Sequence, residues 1–183
     1  MNDSELEASL YKFIKPKYPD VEIKVQNGDE NIRQVFFTAN LFKDLYPQQR
    51  YHYLSHLIPD DFFEENLVDT EWFELAPGEN PDELDYHDDE ILEEITEAVL
   101  GVLRHKVDFV SILDRRFMKE DALCAGDFSH SKKILTKLDF PAEAQFDIFH
   151  VLMKKGGYCD CEILFNVFCE SEYAKKYWST RSF

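Results

Sequence analysis

The stretch VEIKVQNGDENIRQVFFTANLF, residues 21–42, decides how the first half of this chain folds. Apolar residues alternate with polar ones from Val21 to Val25, which is the period of a strand with one buried face. Asn27-Gly28 is a favoured two-residue hairpin turn, and VFFTANLF supplies the returning strand. The sequence therefore predicts an antiparallel hairpin.

Helical segments flank this hairpin. Ser4 and Glu7 have the spacing of a capping box, and apolar residues at helical spacing follow them. After the hairpin, Pro47 opens a helix through QQRYHYLSHLI, and a short acidic helical segment comes next. LVDTEWFEL then predicts a third strand. The expected α+β fold starts with a first domain, residues 1–78, in the order helix, two-stranded hairpin, helices, third strand.

The rest of the chain, residues 79–183, predicts a mainly helical second domain. APGENPDELDY contains two prolines and a glycine, so we place the domain boundary there. In DDEILEEITEAVLGVLRH four apolar residues fall on one face of an amphipathic helix. These residues are Ile91, Ile95, Val99 and Val102. A last helix is expected to start at Asp160, a good N-cap residue.

The charge of the chain is strongly negative, at −17, and it is concentrated in one region. Residues 60–97 carry 17 carboxylates, and no Lys or Arg lies between Arg50 and Arg104. Such a surface repels phosphate backbones and anionic lipid, so we expect no nucleic-acid and no membrane partner. It is either a solvated face or a docking face for a protein with a basic surface. The docking candidates are Asp60, Asp61, Glu64, Glu65, Asp88 and Asp89.

The chain has no basic start followed by an apolar run and no apolar stretch of membrane-spanning length. Its four cysteines all lie in the last third of the chain, whereas a secreted disulfide scaffold would spread them along its whole length. We therefore expect a cytoplasmic protein with reduced thiols.

The first half resembles BolA-like proteins in its order of elements and in one motif. VFFTANLF and QQRYHYLSHLI align without a gap on that family's serine-aspartate and arginine-histidine-arginine stretch, with Arg50 on the first arginine. Tyr51 stands where the family has a histidine, and DTEWFEL lacks the second histidine that the family offers to a shared iron–sulfur cluster. The resemblance implies the BolA-like fold and leaves the cluster-sharing role with monothiol glutaredoxins as an open alternative.

The second half resembles a bacterial family of domains of unknown function, numbered 2695. Members of that family end in a glycine pair, Tyr-Cys-Asp-Cys-Glu and Asn-Val, and residues 156–162 with Asn166-Val167 reproduce this. The family's upstream Cys-Asp-His-Thr falls on DFSHS, so that His130 takes the histidine position. The family cysteine becomes Phe128, with Cys124 as a nearby substitute. The resemblance implies a fold and a site but no activity.

Cysteine sulfur and histidine nitrogen are the ligands that tetrahedral zinc prefers. The four residues that could form a Cys₃His set are Cys159, Cys161, His130 and Cys124. Such a site would join two segments that are distant in the chain. Cys169 and His150 are weaker candidates for the fourth position. Cysteines that only pack in a core are the alternative.

A second chemical alternative is redox chemistry. Cys161 would lie in the first turn of a helix, which favours a thiolate, and Cys159 could resolve it into a disulfide. Acidic neighbours oppose this by raising a thiol pKa. Phosphate-binding glycine loops and the common hydrolase motifs are missing from the sequence. We therefore predict a non-enzymatic binding or adaptor protein with a small structural zinc site.

Overall fold

The computed structural model describes residues 1–28, 32–84, 88–119 and 122–180. The chain divides into a first unit, Met1–Tyr86, and a second unit, His87–Phe183. The described residues contain nine α-helices and one three-stranded sheet, which confirms the α+β class. The boundary between residues 78 and 79, drawn from composition, stays a prediction.

The first unit has the predicted order of helix, hairpin, helices and third strand. Its elements are α1 (Asp3–Ile14), β1 (Glu22–Asn27), β2 (Arg33–Thr38), a 3₁₀ turn (Asn40–Asp44), α2 (Pro47–Ser55), α3 (Asp60–Asn66), β3 (Thr70–Leu75) and a second 3₁₀ turn (Pro81–Glu83). Strands β1 and β2 are antiparallel, whereas β2 and β3 are parallel. A parallel pair needs a crossover, and α2 and α3 supply it.

The capping box of helix α1 lies two residues before the predicted one. Asn2 accepts the backbone N–H of Glu5, whose carboxylate accepts the N–H of Asn2, both at 3.0 Å. Glu7 does not cap the helix; its carboxylate accepts the N–H of Val25 on the edge strand β1 at 2.8 Å. The hydroxyl of Tyr11 accepts the N–H of Ile23 on the same edge at 2.8 Å. Two side chains of α1 therefore satisfy backbone groups that an open edge would expose.

The core of the first unit lies between α1 and one face of the sheet. Helix α1 contributes a fully buried stripe at helical spacing, and the strands contribute their alternate residues. The buried members are Leu6, Leu10, Ile14, Ile23, Val25, Val35 and Phe37. This is the hydrophobic alternation read in the stretch 21–42.

Arg50 joins α2 to the end of the sheet. Only 4% of this residue is exposed, and its guanidinium donates to the carbonyl oxygens of Leu45 at 3.0 Å and Glu74 at 2.8 Å. It also forms a bidentate pair with Glu79, at 2.5 and 3.0 Å. Arg50 thus has a structural task in this chain.

The second unit is helical throughout its described residues. Its elements are α4 (Asp89–Gly101), a π-helical turn (Val102–Lys106), α5 (Phe109–Lys119), α6 (Ser129–Lys137), α7 (Ala142–Lys154), α8 (Asp160–Glu162), a second π-helical turn (Ile163–Val167) and α9 (Glu172–Thr180). Buried aromatic rings form the centre of the unit, with Phe128 stacked on Phe149 at 4.5 Å between centroids. None of the helices in the described part of the chain has the length and apolar character that crossing a membrane requires.

The residues of helix α4 that are buried in the core differ from those that the sequence predicted. Leu92, Thr96 and Leu100 are buried, followed by Leu103 in the π-helical turn. The predicted stripe from Ile91 to Val102 is exposed or half-buried. Both stripes have helical spacing, and only the packing of neighbouring helices distinguishes them.

Candidate metal centre

Three cysteines from two distant segments meet in the second unit. The sulfur atoms of Cys124, Cys159 and Cys161 all lie within 4.8 Å of one another. Cys124 lies between α5 and α6, while the other two flank Asp160 at the start of α8. The Cys159 and Cys161 sulfurs are 3.3 Å apart, and all three residues are free thiols, of which Cys159 is buried.

Asp160 holds the two segments together. Its carboxylate accepts the backbone N–H groups of His130 at 2.7 Å and Ser131 at 2.9 Å, at the start of α6. Its own N–H donates to the carbonyl oxygen of Asp127 at 2.9 Å. A carboxylate is favoured at a helix N-terminus because it meets unpaired N–H groups and the positive end of the dipole. Burial raises the pKa of Asp160, and these two N–H groups counter that shift.

The expectation that Asp160 caps its own helix is therefore corrected. Cys159 is the N-cap residue of α8, and Asp160 is the first helical residue. Asp160 is fully buried, and it caps α6 instead. The N-cap preference of aspartate was read correctly as a chemical tendency, but the helix that it serves is decided by tertiary contact.

The glycine pair before the cysteines shapes the turn from α7 into α8. Gly156 has a φ of +84°, a conformation that favours glycine. A Cβ atom on Gly157 would lie 3.0 Å from the Val167 side chain and 3.2 Å from the Ile163 backbone, so this residue must be small. The side chain of Asn166 donates to the Gly156 carbonyl oxygen at 2.6 Å.

Glu162 completes the turn by accepting the N–H of Tyr158 at 2.9 Å. With this bond, the glycine pair, Asp160, Glu162, Asn166 and Val167 all have identified packing or hydrogen-bonding tasks. These contacts place the two cysteines of the motif beside the sulfur of Cys124. The three sulfur atoms hydrogen-bond mainly to one another.

The electrostatics of the cluster favour one negative charge on Cys124. S–H donation from Cys159 and Cys161, together with backbone N–H groups of Cys161 and Gly126, lowers the pKa of the Cys124 thiol to about 2. The same bond to Cys124 raises the pKa of Cys159 and raises that of Cys161 to about 12. These directions favour Cys124, in place of the Cys161 of the redox alternative, as the thiolate of the group.

Aromatic rings lie beside the cluster. Tyr173 stacks against Phe165 at 5.2 Å and packs on Phe117 at 5.1 Å. Burial raises the pKa of the Tyr173 phenol, and electrostatic interaction with the cysteine cluster raises it further. The sequence offered no signal for Tyr173, because helical spacing does not say which ring of α9 faces a site in another segment.

His130 lies beside the group but outside it. Its imidazole packs edge-on against Phe117 at 5.6 Å, and its Nε2 is 3.3 Å from the Leu123 carbonyl oxygen. Its Nδ1 is buried without a hydrogen-bond partner among the described residues. Among those residues, no fourth His, Cys, Asp or Glu ligand atom joins the three sulfurs within 4.8 Å.

The weaker candidates for a fourth ligand also lie elsewhere. Cys169 is exposed and is not one of the three gathered thiols. His150 is buried in α7, with its Nδ1 2.8 Å from the Phe146 carbonyl oxygen. Three thiol ligands are therefore brought together within the described part of the chain.

The six predicted docking carboxylates are exposed, and they lie on two elements. Helix α3 of the first unit carries Asp60, Asp61, Glu64 and Glu65, and the start of α4 in the second unit carries Asp88 and Asp89. Asp88 is also the N-cap of α4, accepting the N–H of Glu90 at 2.8 Å. Asp89 accepts an ion pair from Lys154 at 3.4 Å.

Comparison with known families finds one match, in the second unit. Residues 109–166 match the family described as "Protein of unknown function (DUF2695)". The match begins at the first residue of α5 and includes His130 and all three gathered cysteines. No curated protein and no solved structure matches the chain. The segment that builds the cysteine cluster is thus similar to DUF2695, and the BolA-like resemblance of the first unit stays a prediction.

Proposed function

We propose that this is a non-enzymatic, cytoplasmic adaptor protein whose second unit is held together by a structural zinc ion. The observation that carries the metal part is the convergence of the Cys124, Cys159 and Cys161 sulfurs within 4.8 Å. Zinc binds thiolates at about 2.3 Å in a tetrahedron, which separates neighbouring sulfurs by about 3.8 Å. The group has that scale and needs only small side-chain movements to close on one ion.

Zinc suits this donor set better than a hard cation. Thiolates are soft ligands that select zinc, copper(I) or iron–sulfur chemistry, whereas calcium and magnesium need oxygen ligands. A divalent cation would also bind all three thiolates directly, in place of the hydrogen bonds to Cys124 that raise the pKa of Cys159 and Cys161. The ion would tie the segment before α6 to the start of α8, in parallel with the hydrogen bonds of Asp160.

His130 is the fourth ligand that we propose. Its backbone N–H is held by Asp160, which lies between the two cysteines of the motif, and its buried Nδ1 has no partner in the described part of the chain. Zinc sites usually have four ligands. His130→Ala should therefore weaken zinc retention without abolishing it.

The adaptor part of the proposal is supported by the charge distribution. Helix α3 presents four exposed carboxylates, and residues 51–103 contain no Lys or Arg. The partner that suits this surface is a protein with a basic surface, and binding should weaken steeply with salt. The first unit, in the order helix, hairpin, helices and parallel third strand, is proposed to be BolA-like without the cluster-binding histidines.

The first experiment is elemental analysis of freshly purified, tag-free protein, combined with thiol counting before and after a chelator. We expect about one zinc per chain. Exposed Cys169 should react at once, while Cys124, Cys159 and Cys161 become reactive only after chelation. Cys161→Ser should lose the zinc, and Cys169→Ser is the matched control that should retain it. No metal and four reactive thiols would end the zinc proposal.

A redox function is the second candidate, and the 3.3 Å approach of the Cys159 and Cys161 sulfurs is the observation that favours it. Two thiols would form one disulfide and pass two electrons and two protons to an oxidant such as a peroxide. A redox pair would react without a chelator, and a reductant would reverse the disulfide. Mass spectrometry of peroxide-treated protein, with a two-hydrogen loss restored by dithiothreitol, would identify it.

A further inference from the structure

The second unit has an apolar groove between α4 and α7, and Asp147 is the one carboxylate among its lining residues. Helix α4 and the π-helical turn after it form one wall, with Ile95, Val99 and Val102. Phe140 and helix α7, with Ala144 and Ile148, form the other. The space between the walls is about 300 Å³ and opens to solvent.

The α4 wall of the groove is distinct from the fully buried stripe of that helix. Leu92 and Leu100 already fix it to the core, and they are 5% and 6% exposed. Ile91, at the head of the second stripe, is 49% exposed, and Val99 is half-buried. Apolar side chains of α4 therefore reach solvent beside the buried stripe, where a partner could cover them.

Carboxylates stand at helical spacing from groove residues on both helices. On α4, Glu90 and Glu94 are four residues apart, and Glu94 lies one turn before Ala98, which lines the groove. On α7, Asp147 lines the groove, and Glu143 lies four residues before it. Within the described residues, no Lys or Arg forms an ion pair with Glu90, Glu94 or Glu143.

This charge pattern selects the occupant. An apolar anion such as a fatty acid would meet carboxylates on both walls, so the groove disfavours it. A cationic segment would pair with both rows while it buried apolar side chains between them. The walls are two helices, and an amphipathic helix lying in a hydrophobic groove is the recognition mode that such walls allow.

We propose that the groove between α4 and α7 docks an amphipathic helical segment of a partner protein, with apolar side chains inserted between Val99 and Ile148 and Lys or Arg flanking them. This inference rests on the proposed adaptor role, and it moves the docking point from the acidic surface as a whole to one groove. The metal part of that role is independent, because none of the cysteines lines the groove.

The test uses the full-length protein and a fluorescein-labelled helical Leu/Lys peptide of about 16 residues, long enough to follow α4. Fluorescence anisotropy should show saturable binding that weakens as salt rises. Val99→Glu should lower the affinity at least about tenfold, because it places a charge against apolar side chains. Val68→Glu is the matched control, since Val68 is an apolar residue of the first unit that is 62% exposed.

Charge reversal separates the groove from the acidic surface in general. Glu94→Lys should lower the affinity about threefold to tenfold, whereas Glu64→Lys on α3 should leave it unchanged. Ala98→Lys, at an exposed groove position, gives the same information if Val99→Glu does not fold.

Three results would overturn the groove proposal. One is equal binding of a scrambled peptide with the same composition, which would mean that charge alone is recognised. Another is no binding of the helical peptide at all. The third is loss of binding in Glu64→Lys but not in Glu94→Lys, which would leave the α3 docking face and the zinc proposal standing.

Discussion

Each of the two units of this protein brings a group of polar side chains together, and the two groups differ in how their hydrogen-bonding capacity is met. In the first unit, Arg50 donates to two carbonyl oxygens and to both carboxylate oxygens of Glu79. In the second unit, the sulfurs of Cys124, Cys159 and Cys161 bond mainly to one another. Arg50 has hydrogen-bond partners within the fold, so no ligand is needed to explain it. The three thiols, in contrast, can still bind a metal ion.

The same distinction, between residues with structural partners and residues free to bind a ligand, applies inside the Gly-Gly-Tyr-Cys-Asp-Cys-Glu motif of the second unit. Gly156, Gly157, Asp160, Glu162 and Asn166 each have a task in shaping one turn. These contacts account for the residues around the two cysteines, whereas the sulfur atoms of Cys159 and Cys161 hydrogen-bond to each other and to Cys124. This is the physical reason for proposing chemistry at the sulfurs and not at Asp160 between them.

The largest effect should come from the first unit. Arg50→Met leaves the Glu79 carboxylate and the Leu45 and Glu74 carbonyl oxygens without their donor, and it should lower the free energy of unfolding by about 3–5 kcal/mol. Urea unfolding followed by Trp72 fluorescence in a Trp178→Phe background reports on this unit alone. Arg33→Met is the control, because its pair with Asp3 is partly exposed and contributes about 0–1 kcal/mol. Equal effects of the two changes would contradict the structural task of Arg50.

The next effect concerns Asp160. Asp160→Ala leaves two backbone N–H groups unpaired at the start of α6 and should lower the stability of the second unit by about 2–3 kcal/mol. Trp178 fluorescence in a Trp72→Phe background measures it. Asp127→Ala removes one cap, to Ser129, from the same helix end and should cost about 1 kcal/mol. An Asp160 variant as stable as wild type would show that the two segments meet without this bridge.

Glu74 sharpens the comparison through pH. This residue is 4% exposed, its Oε1 has no hydrogen-bond partner in the described residues, and burial raises its pKa from 4.5 to about 7. The folded state therefore binds the proton more tightly than the unfolded chain. The stabilisation is fully present below pH 4.5 and is lost as the pH rises through about 7.

Glu74→Gln should remove this dependence and stabilise the first unit by about 2 kcal/mol at pH 8, with little change at pH 4.5. Urea unfolding at both values, again followed by Trp72, gives the two differences. Glu71→Gln on the same strand is the control, since Glu71 is exposed. A parallel shift at both pH values would show that packing, and not ionisation, is responsible.

The smallest expected loss of stability comes from replacing Gly156 or Gly157, and the two changes should differ. Gly156→Ala meets no atom closer than 3.7 Å, so its cost is the positive φ alone, about 1 kcal/mol. Gly157→Ala would also crowd Val167 and the Ile163 backbone and should cost about 1–3 kcal/mol. Thermal unfolding of the second unit ranks the two variants. The reverse order would mean that the turn relaxes more easily than its contacts indicate.

Much of the fold could be predicted from the chain because the signals are local. The alternation from Val21 to Val25 and Pro47 at the start of α2 predicted elements that the structure contains. Local signals were less exact where two pairs of residues have the same spacing, as in the capping box of α1. The capping box of α1 uses Asn2 and Glu5, because Glu7 is bonded to the edge strand.

The candidate site was predicted in part for the same reason. Cys159 and Cys161 are neighbours in sequence, and the addition of Cys124 rested on ligand chemistry. The structure places that sulfur with them and leaves the His130 ring against Phe117. Tyr173 gave no signal at all, since its approach to the cysteines depends on how α9 packs.

The sequence by itself determined the α+β class, the order of elements in the first unit and the residue types able to bind a soft metal, because periodicity, turn chemistry and ligand preference are properties of short segments. Only the tertiary structure decided which stripe of α4 is buried and which lines a groove, which helix Asp160 caps and which distant thiol joins the Cys-Asp-Cys pair. Those choices depend on contacts between segments far apart in the chain, whose free energies are settled by packing and not by local spacing.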